Sequence, residues 1–316
     1  MLLLRHANEL PADDRPVCAA IGMFDGVHVG HQEIIQKVIA EARAGGGVSV
    51  VITFDAHPSE IVAPERAPAL LQSLAQRIET IGALGAEALW VIHFDRAFSE
   101  LSAEAFIRQM AAEWGRLRSL CVGANFAFGH RRSGNVGLLR QLGEELGFAV
   151  HGLPAVTVDG QAVSSTRIRE AVRAGDFAGA GRLLGRPYQL AGQVVAGDQL
   201  GRQLGFPTAN LDVRGLVVPP HGVYATQARW RGAEYPSVTN IGLRPTLRGA
   251  APTLRVETHL LDFQGDLYGE ELGFRFVARL REERQFASLA ELQAQIDRDL
   301  TAARGHFSIV PDSRRK

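Results

Sequence analysis

Continuous apolar runs, rather than alternating ones, mark the first half of the chain. Val17–Ile21, Val48–Phe54, Ala88–Phe94, Leu117–Val122 and Phe148–Pro154 each read as a short strand with apolar side chains on both faces. That is the pattern of strands buried on both sides of a parallel sheet. Between them, His31–Ala44, Leu71–Leu84, Ser102–Trp114 and Val136–Leu146 carry helical periodicity. Strand and helix taking turns predicts right-handed βαβ crossovers and a doubly wound α/β sheet. After Gly185 the period changes. Arg186–Val195 opens a region of short strands punctuated by turn signals such as Pro219-Pro220-His221-Gly222, Arg231-Gly232 and Gly265-Asp266. Val223–Trp230, Tyr235–Asn240, Leu254–Leu261 and Leu272–Leu280 alternate as antiparallel strands do, so a small antiparallel β-barrel is expected. Ser288–Ala303 reads as a terminal helix, with Ser288 as N-cap and Glu291 three residues on, a capping box. The polar tail Pro311–Lys316 is expected to fray. The change of pattern divides the chain into residues 1–185 and 186–316.

A length of 316 residues suits two domains, at roughly 150 residues each. The 34 basic residues balance the 34 acidic ones. Without basic excess the chain does not read as a nucleic-acid-coating protein, while a local patch can still bind small anions. No run reaches the roughly 18 apolar residues of a membrane helix. The apolar start of Met1–Pro16 is too short for a signal peptide and acidic residues follow it. The expected compartment is the cytoplasm, with neither nucleic acid nor membrane as partner; self-association is left open. Cys18 and Cys121 lie far apart in apolar sequence. They exclude a disulfide-dense scaffold and a cysteine-based zinc cluster, and are expected as buried reduced thiols.

Candidate chemistry begins where the first strand ends, at Gly22-Met23-Phe24-Asp25-Gly26-Val27-His28-Val29-Gly30-His31. A strand running through a glycine turn into a helix places backbone N–H groups and a helix N-terminus at the sheet's C-terminal edge, where phosphate is favoured. His28 and His31, three apart, are expected to face one pocket and donate to phosphate oxygens as charge develops. The turn is not a Gly-x-Gly-x-x-Gly dinucleotide turn, and the chain has no Walker Gly-Lys-Ser/Thr. A second stretch, Val163-Ser164-Ser165-Thr166-Arg167-Ile168-Arg169, sets hydroxyls and two arginines at the start of a short helix. Hydroxyls there suit ordinary capping. The arginines oppose the helix dipole and call for a compensating anion.

Together these stretches resemble the nucleotidyltransferase superfamily that uses His-x-Gly-His and Ser-Ser-Thr-x-x-Arg. With Thr53-Phe54-Asp55-Ala56-His57-Pro58, Phe98, Leu101–Phe106 and Val122-Gly123-Ala124-Asn125-Phe126-Ala127-Phe128-Gly129, the first half is similar to the FMN adenylyltransferase module of prokaryotic bifunctional FAD synthetases. The resemblance implies that FMN phosphate attacks the α-phosphorus of ATP and that pyrophosphate leaves. It implies that His28 and His31 meet the α- and β-phosphates, that Ser165, Arg167 and Arg169 hold the leaving pyrophosphate, and that Gly22, Phe24, Asp25, Gly30, Ser164 and Thr166 line the phosphate site. Phe54, Pro58, Asn125, Phe126 and Phe128 are implied at the flavin; each aromatic suits a core equally well. The family commonly has Leu-Leu-Thr where this chain has Leu70-Leu71-Gln72.

The stretch Gly192–Asn210 is rich in glycines that let backbone approach a ligand. Thr208 and Asn210 offer hard oxygen ligands suited to Mg²⁺. With Gly222-Val223-Tyr224, Asn240–Thr246, Val256–Phe263, Gly265–Gly269, Leu280–Glu283 and Phe286, the second half resembles the riboflavin kinase module, a six-stranded Greek-key barrel. That resemblance implies a nucleotide-phosphate site at Gly197, Gly201, Arg202, Gly205 and Pro207, Mg²⁺ at Thr208 and Asn210, and flavin contacts at Leu267 and Gly269. It makes Glu257 the base that takes the riboflavin 5′-hydroxyl proton. Read alone, Glu257 in an alternating stretch is a surface glutamate. The expected substrates are therefore riboflavin, FMN and ATP, with Mg²⁺ as cofactor and FAD as final product.

Overall fold

The computed structural model describes residues 1–197, 201, 204–244 and 253–307. Arg202, Asp198–Leu200, Pro245-Thr246 and the tail Pro311–Lys316, all singled out above, lie outside the described residues. Contacts divide the chain into two compact units, one of Met1–Ile168 with Leu183–Gly185, the other of Arg169–Arg182 with the residues from Arg186 onward.

The first unit is a wholly parallel sheet of β1 (Leu2–Leu4), β2 (Val17–Ile21), β3 (Val48–Phe54), β4 (Ala88–Ile92), β5 (Leu117–Gly123) and, after two short strands, β8 (Ala149–Leu153). The order is β1-β4-β3-β2-β5-β8. The five strands expected from the apolar runs are present: β2 and β3 with the expected ends, β4 and β8 shorter by two residues, and β5 longer by one. β1 escaped notice because it has three residues, two of them exposed. It is held by parallel pairing with β4 and by the buried Leu4.

Alternation along β2 feeds two cores. Ala19 and Ile21 join the layer of α5 (Ala103–Trp114) and α6 (Val136–Leu146). Cys18 and Ala20 join that of α1 (Val29–Ala44) and α3 (Leu74–Ala83). The sheet is doubly wound, as the pattern predicts. Short helices α2 (Pro58–Val62) and α4 (Arg96–Ser99) follow β3 and β4. The chain leaves β2 toward β3 and β4, then crosses back to β5 on β2's other side. The C-terminal ends of β2 and β5 therefore flank the switch point, where open α/β sheets bind ligands. Two hairpins that the sequence reading omits, β6 (Ala127–Phe128) with β7 (Gly134–Asn135) and β9 (Thr157–Val158) with β10 (Gln161–Ala162), stand beyond that edge. Helices α7 (Ser165–Ala174) and α8 (Phe177–Leu184) close the first half.

The second unit is a closed antiparallel barrel, β11 (Gln189–Val195), β12 (Ala209–Asp212), β13 (Gly222–Trp230), β14 (Ala233–Arg244), β15 (Thr253–Leu260) and β16 (Glu271–Arg281), in the order β11-β12-β15-β14-β13-β16. The sequence pattern missed β12, which is only four residues long and enters from the Pro207-Thr208 turn. Apolar side chains fill the barrel beside a buried hydroxyl chain. Thr226 Oγ1 lies 2.8 Å from both Ser237 Oγ and Thr239 Oγ1, and Thr239 Oγ1 lies 2.9 Å from Thr258 Oγ1. Each hydroxyl has a partner, so burial does not strand it. Phe177 on α8 stacks on Phe276 at 4.4 Å between ring centroids. Helix α9 (Leu289–Phe307) begins at the Ser288 N-cap, which accepts Glu291 N–H at 3.2 Å. The reciprocal bond goes one residue early, from Ala287 N–H to Glu291. Arg281 grips the buried Asp299 of α9 through both carboxylate oxygens, at 2.9–3.1 Å.

Candidate active sites

At the switch point the chain turns sharply after β2. Phe24 (φ 50°), Gly26 (φ 80°) and Val27 (φ 39°) all adopt left-handed backbone. Such conformations are costly for Phe and Val and persist where surroundings over-determine them. The surroundings are specific. Phe24 and Val27 are fully buried, the buried Asp25 carboxylate accepts Leu71 N–H at 2.9 Å, and Ser165 Oγ donates to the Asp25 carbonyl at 3.0 Å. The second motif is thus fastened to the first. A Cβ at Gly26 would lie 2.7 Å from the Leu71 side chain.

His28 is the N-cap of α1, and its Nδ1 accepts His31 N–H at 3.3 Å. With Nδ1 occupied as acceptor, the neutral ring carries its proton on Nε2. The two imidazoles stack with centroids 3.5 Å apart. Burial first, then the charges of His28 and Arg77, hold His31 well below the ordinary histidine range, so its ring is neutral at pH 7. Its Nδ1 is buried without a hydrogen-bond partner. Two stacked rings cannot both carry charge cheaply, which fits a site that meets phosphate with N–H donors.

Arg77 is a site residue that the sequence reading missed. It is 1% exposed, and its guanidinium donates to the carbonyls of Met23 and Phe54 at 2.6 Å each. It ties the ends of β2 and β3 together behind the histidines. Its signal was legible: Arg77 falls on the apolar stripe of Leu74, Ile78 and Ile81, where a charge needs a reason. Gln72, the departure from the family pattern, donates to Thr80 Oγ1 at 3.0 Å while its buried Oε1 has no partner.

Of the second motif, Ser164 caps α7 by accepting Arg167 N–H. Thr166 is exposed. The Arg167 guanidinium donates to the carbonyls of Val158 and Gln161 at 3.0 and 3.1 Å. Hairpin carbonyl dipoles, rather than an anion, meet its guanidinium. Arg169 is buried and belongs to the segment that clusters with the barrel unit.

The five residues that the first-half resemblance implies at the flavin, Phe54, Pro58, Asn125, Phe126 and Phe128, line one cavity of ≈ 600 Å³ in the first unit. Phe126 and Phe128 stack at 5.2 Å, and Phe54 meets Phe94 edge-on at 5.6 Å. The loop carrying Asn125 is held by Ala124 N–H on the Leu153 carbonyl, at 2.7 Å. Met23 lines the same cavity, joining it to the histidine turn.

In the barrel, register assembles the polar row. Asn210 on β12 pairs with Glu257 on β15, and Glu257 pairs with Asn240 on β14. Side chains opposite one another across strands share a face, so the carboxylate stands between two amides. It is half-buried, and Arg255, two residues back on the same face, reaches it at 3.2 Å. Glu257, Thr208, Asn210 and Asn240 line a cavity of ≈ 610 Å³ bordered by α9. His259 Nδ1 sits 2.7 Å from the Pro207 carbonyl and steadies the turn before Thr208. A Cβ on Gly197 would overlap the Asn210 amide, and one on Gly201 would lie 2.5 Å from the Phe206 carbonyl. Gly205 holds φ +88°. A second cavity of ≈ 480 Å³ shares Thr208 and is walled by Pro207, Phe263 and Leu267. Leu267, expected at the flavin, thus stands apart from the Glu257 lining. Gly269 spends its N–H on the Val194 carbonyl. Asn240 was quoted only within a motif and Arg255 was not singled out, since only register shows that they flank the carboxylate.

Two units, one with an aromatic cavity beside a histidine turn and one with a mixed polar and apolar cavity around a carboxylate, define a class: a two-domain protein with a separate small-molecule site in each unit. Comparison narrows the class. The FAD synthetase family model matches residues 10–167 and the riboflavin kinase model residues 184–307. The chain is 41% identical over 304 residues to the bifunctional riboflavin kinase/FMN adenylyltransferase of Pseudomonas fluorescens, covering 96% of this chain and 97% of that one. It is 39% identical to the Escherichia coli K12 protein of the same name, covering 98% and 99%. A solved Streptococcus pneumoniae structure, titled a macrolide-efflux protein, superposes with TM-score 0.79 at 28% identity over 96% of this chain and 98% of that one. The chain belongs to the bifunctional riboflavin kinase/FMN adenylyltransferase family.

Proposed function

We infer that the barrel phosphorylates riboflavin with ATP and that the α/β unit adenylylates the resulting FMN, giving FAD and pyrophosphate. The observation that carries this reading is that one chain holds both a histidine turn beside an aromatic cavity and a carboxylate between two asparagines. The catalytic modules are residues 1–185 and 186–316, with the helical segment 169–182 clustering with the barrel.

In the kinase step, Glu257 accepts the proton of the riboflavin 5′-hydroxyl as its oxygen attacks the γ-phosphorus, and ADP departs. Arg255, 3.2 Å away, keeps the carboxylate aimed. Riboflavin takes the larger barrel cavity and ATP the smaller. Thr208 borders both, so the reacting groups meet there. Thr208 and Asn210, two apart and both lining the cavity, offer hard oxygens that fit Mg²⁺. When bound, the ion neutralises charge on the phosphates.

In the second step, an FMN phosphate oxygen attacks the α-phosphorus of a second ATP. The isoalloxazine occupies the aromatic cavity at Phe54, Pro58, Phe126 and Phe128, with Asn125 at its rim. His28 donates through Nε2–H and His31 as a neutral ring to the oxygens that gain charge, and no covalent intermediate is needed. Ser165 and Arg167 hold the turn and hairpin that border the phosphates, with Arg169 as the pyrophosphate cation. Incubating the protein with riboflavin and MgATP and chromatographing the flavins tests the reading. FMN should appear first and FAD after it; stoichiometric flavin binding without turnover would refute it.

A further inference from the structure

The face of the sheet under the C-terminal half of α1 gathers three ligand types that the flavin chemistry does not use. Ser119 and Cys121 alternate on one face of β5, and His151 on β8 is the in-register partner of Cys121. Glu41 of α1 lies over them. Its Oε1 is 3.1 Å from His151 Nε2, its Oε2 is 3.9 Å from Cys121 Sγ and 2.8 Å from Ser119 Oγ. The three ligand atoms lie within 4.8 Å of one another. Among the described residues, no other trio of His, Cys, Asp or Glu does so.

We propose that Glu41, Cys121 and His151 form a binding site for a thiophilic divalent cation of the zinc class, stapling α1, β5 and the edge strand β8 together. Ligand atoms around tetrahedral zinc stand about 3.3–3.6 Å apart, given metal–ligand distances of about 2.0–2.3 Å. With the ligand atoms within 4.8 Å of one another, small side-chain rotations bring them to that spacing. A single sulfur, nitrogen and oxygen make a mixed site with room for one water, distinct from a cysteine cluster. Cys121 is fully buried, whereas Glu41 and His151 keep solvent-facing sides, so an ion and its water can enter from the His151 edge. Lys37 pairs with the same carboxylate at 2.8 Å from an exposed position and can swing to solvent. Without an ion, burial and the adjacent Glu41 carboxylate push the Cys121 thiol up to about 12, so it is a neutral thiol. Binding replaces its S–H bond with a metal–sulfur bond and releases one proton to solvent. Cys18 is buried on the neighbouring strand and serves as an internal control.

Cobalt(II) titration of the full chain, without nucleotide or magnesium, tests the site. The expected result is one equivalent of Co²⁺ giving sulfur-to-metal charge-transfer absorption in the near ultraviolet and intense visible bands, abolished by one equivalent of Zn²⁺. Cys121→Ser should lose the charge-transfer band and Cys18→Ser should keep it. His151→Gln, on an edge strand and therefore safe for folding, should weaken Co²⁺ binding more than tenfold, since even indirect partners of metal ligands are worth about 10–100-fold. Absence of a thiolate band in the parent, or its survival in folded Cys121→Ser, would overturn the proposal. So would unchanged Co²⁺ affinity in His151→Gln.

Discussion

Replacing Glu257 by glutamine separates the two activities most cleanly. Glutamine keeps the shape and one acceptor oxygen but cannot take the ribityl proton. Losing a positioned general base costs about 10²–10⁴ in rate, or about 2.7–5.4 kcal/mol of barrier. The structural cost is smaller. The charge lost to folding is the pair with Arg255 at 3.2 Å, with both side chains a little over one-quarter exposed. Solvent screening limits such a pair to about 0–1 kcal/mol. The amide can still accept from Arg255 and faces Asn210 and Asn240 across the strands. The variant should therefore melt within a few degrees of the parent. Given riboflavin and MgATP it should make almost no FMN and hence no FAD; given FMN it should make FAD at the parent rate. A folded variant that forms FMN at the parent rate would make Glu257 a surface glutamate and remove the base. Loss of barrel structure along with kinase activity would make it a folding residue instead.

Three further outcomes follow from the geometry. His28→Ala should cut FAD formation from FMN by about 10²–10³ while leaving riboflavin phosphorylation intact; His28→Asn, which restores an N-cap acceptor for His31 N–H, should recover melting temperature but not rate, and parent activity in either would remove His28 from the site. A fragment starting at Arg169 should unfold at higher denaturant than one starting at Arg186, because only the longer one keeps Phe177 on Phe276; burying that ring is worth about 1.5–3 kcal/mol, and equal midpoints would show that the segment adds nothing to the barrel. His31 is held neutral in the folded state, so the unfolded chain binds more protons below the ordinary histidine pKa of about 6.5; stability should be full above that value and fall as pH drops below it, and urea midpoints at pH 7.5 and 5.5 should converge in His31→Gln relative to the parent.

The long apolar strands and amphipathic helices were legible because burial on both faces leaves no polar positions to confuse the period. β1 and β12 were not, since three- and four-residue strands carry no period and owe their existence to neighbours. The histidine turn could be read as a phosphate site because imidazoles follow a glycine-rich strand end. What His28 does locally, capping α1 through Nδ1 and so placing its proton on Nε2, emerges only from coordinates. Arg167 shows the opposite limit. Its place in the first turn of a helix suggested an anion, yet its guanidinium is satisfied by two hairpin carbonyls, from a hairpin with no periodic signal. Glu257 looked like a surface residue by alternation. Barrel closure and α9 turn that outward face into the wall of a cavity.

The account rests on one chain moving the γ-phosphoryl group of one ATP and the adenylyl group of another onto the same flavin. Radiolabelled ATP tests this directly in a single incubation with riboflavin and Mg²⁺. With label at the γ-phosphorus, both FMN and FAD should carry it. With label at the α-phosphorus, FAD alone should carry it, and unlabelled pyrophosphate should be released in equal amount. FMN lacking the γ-label, or FAD lacking the α-label, would contradict the account.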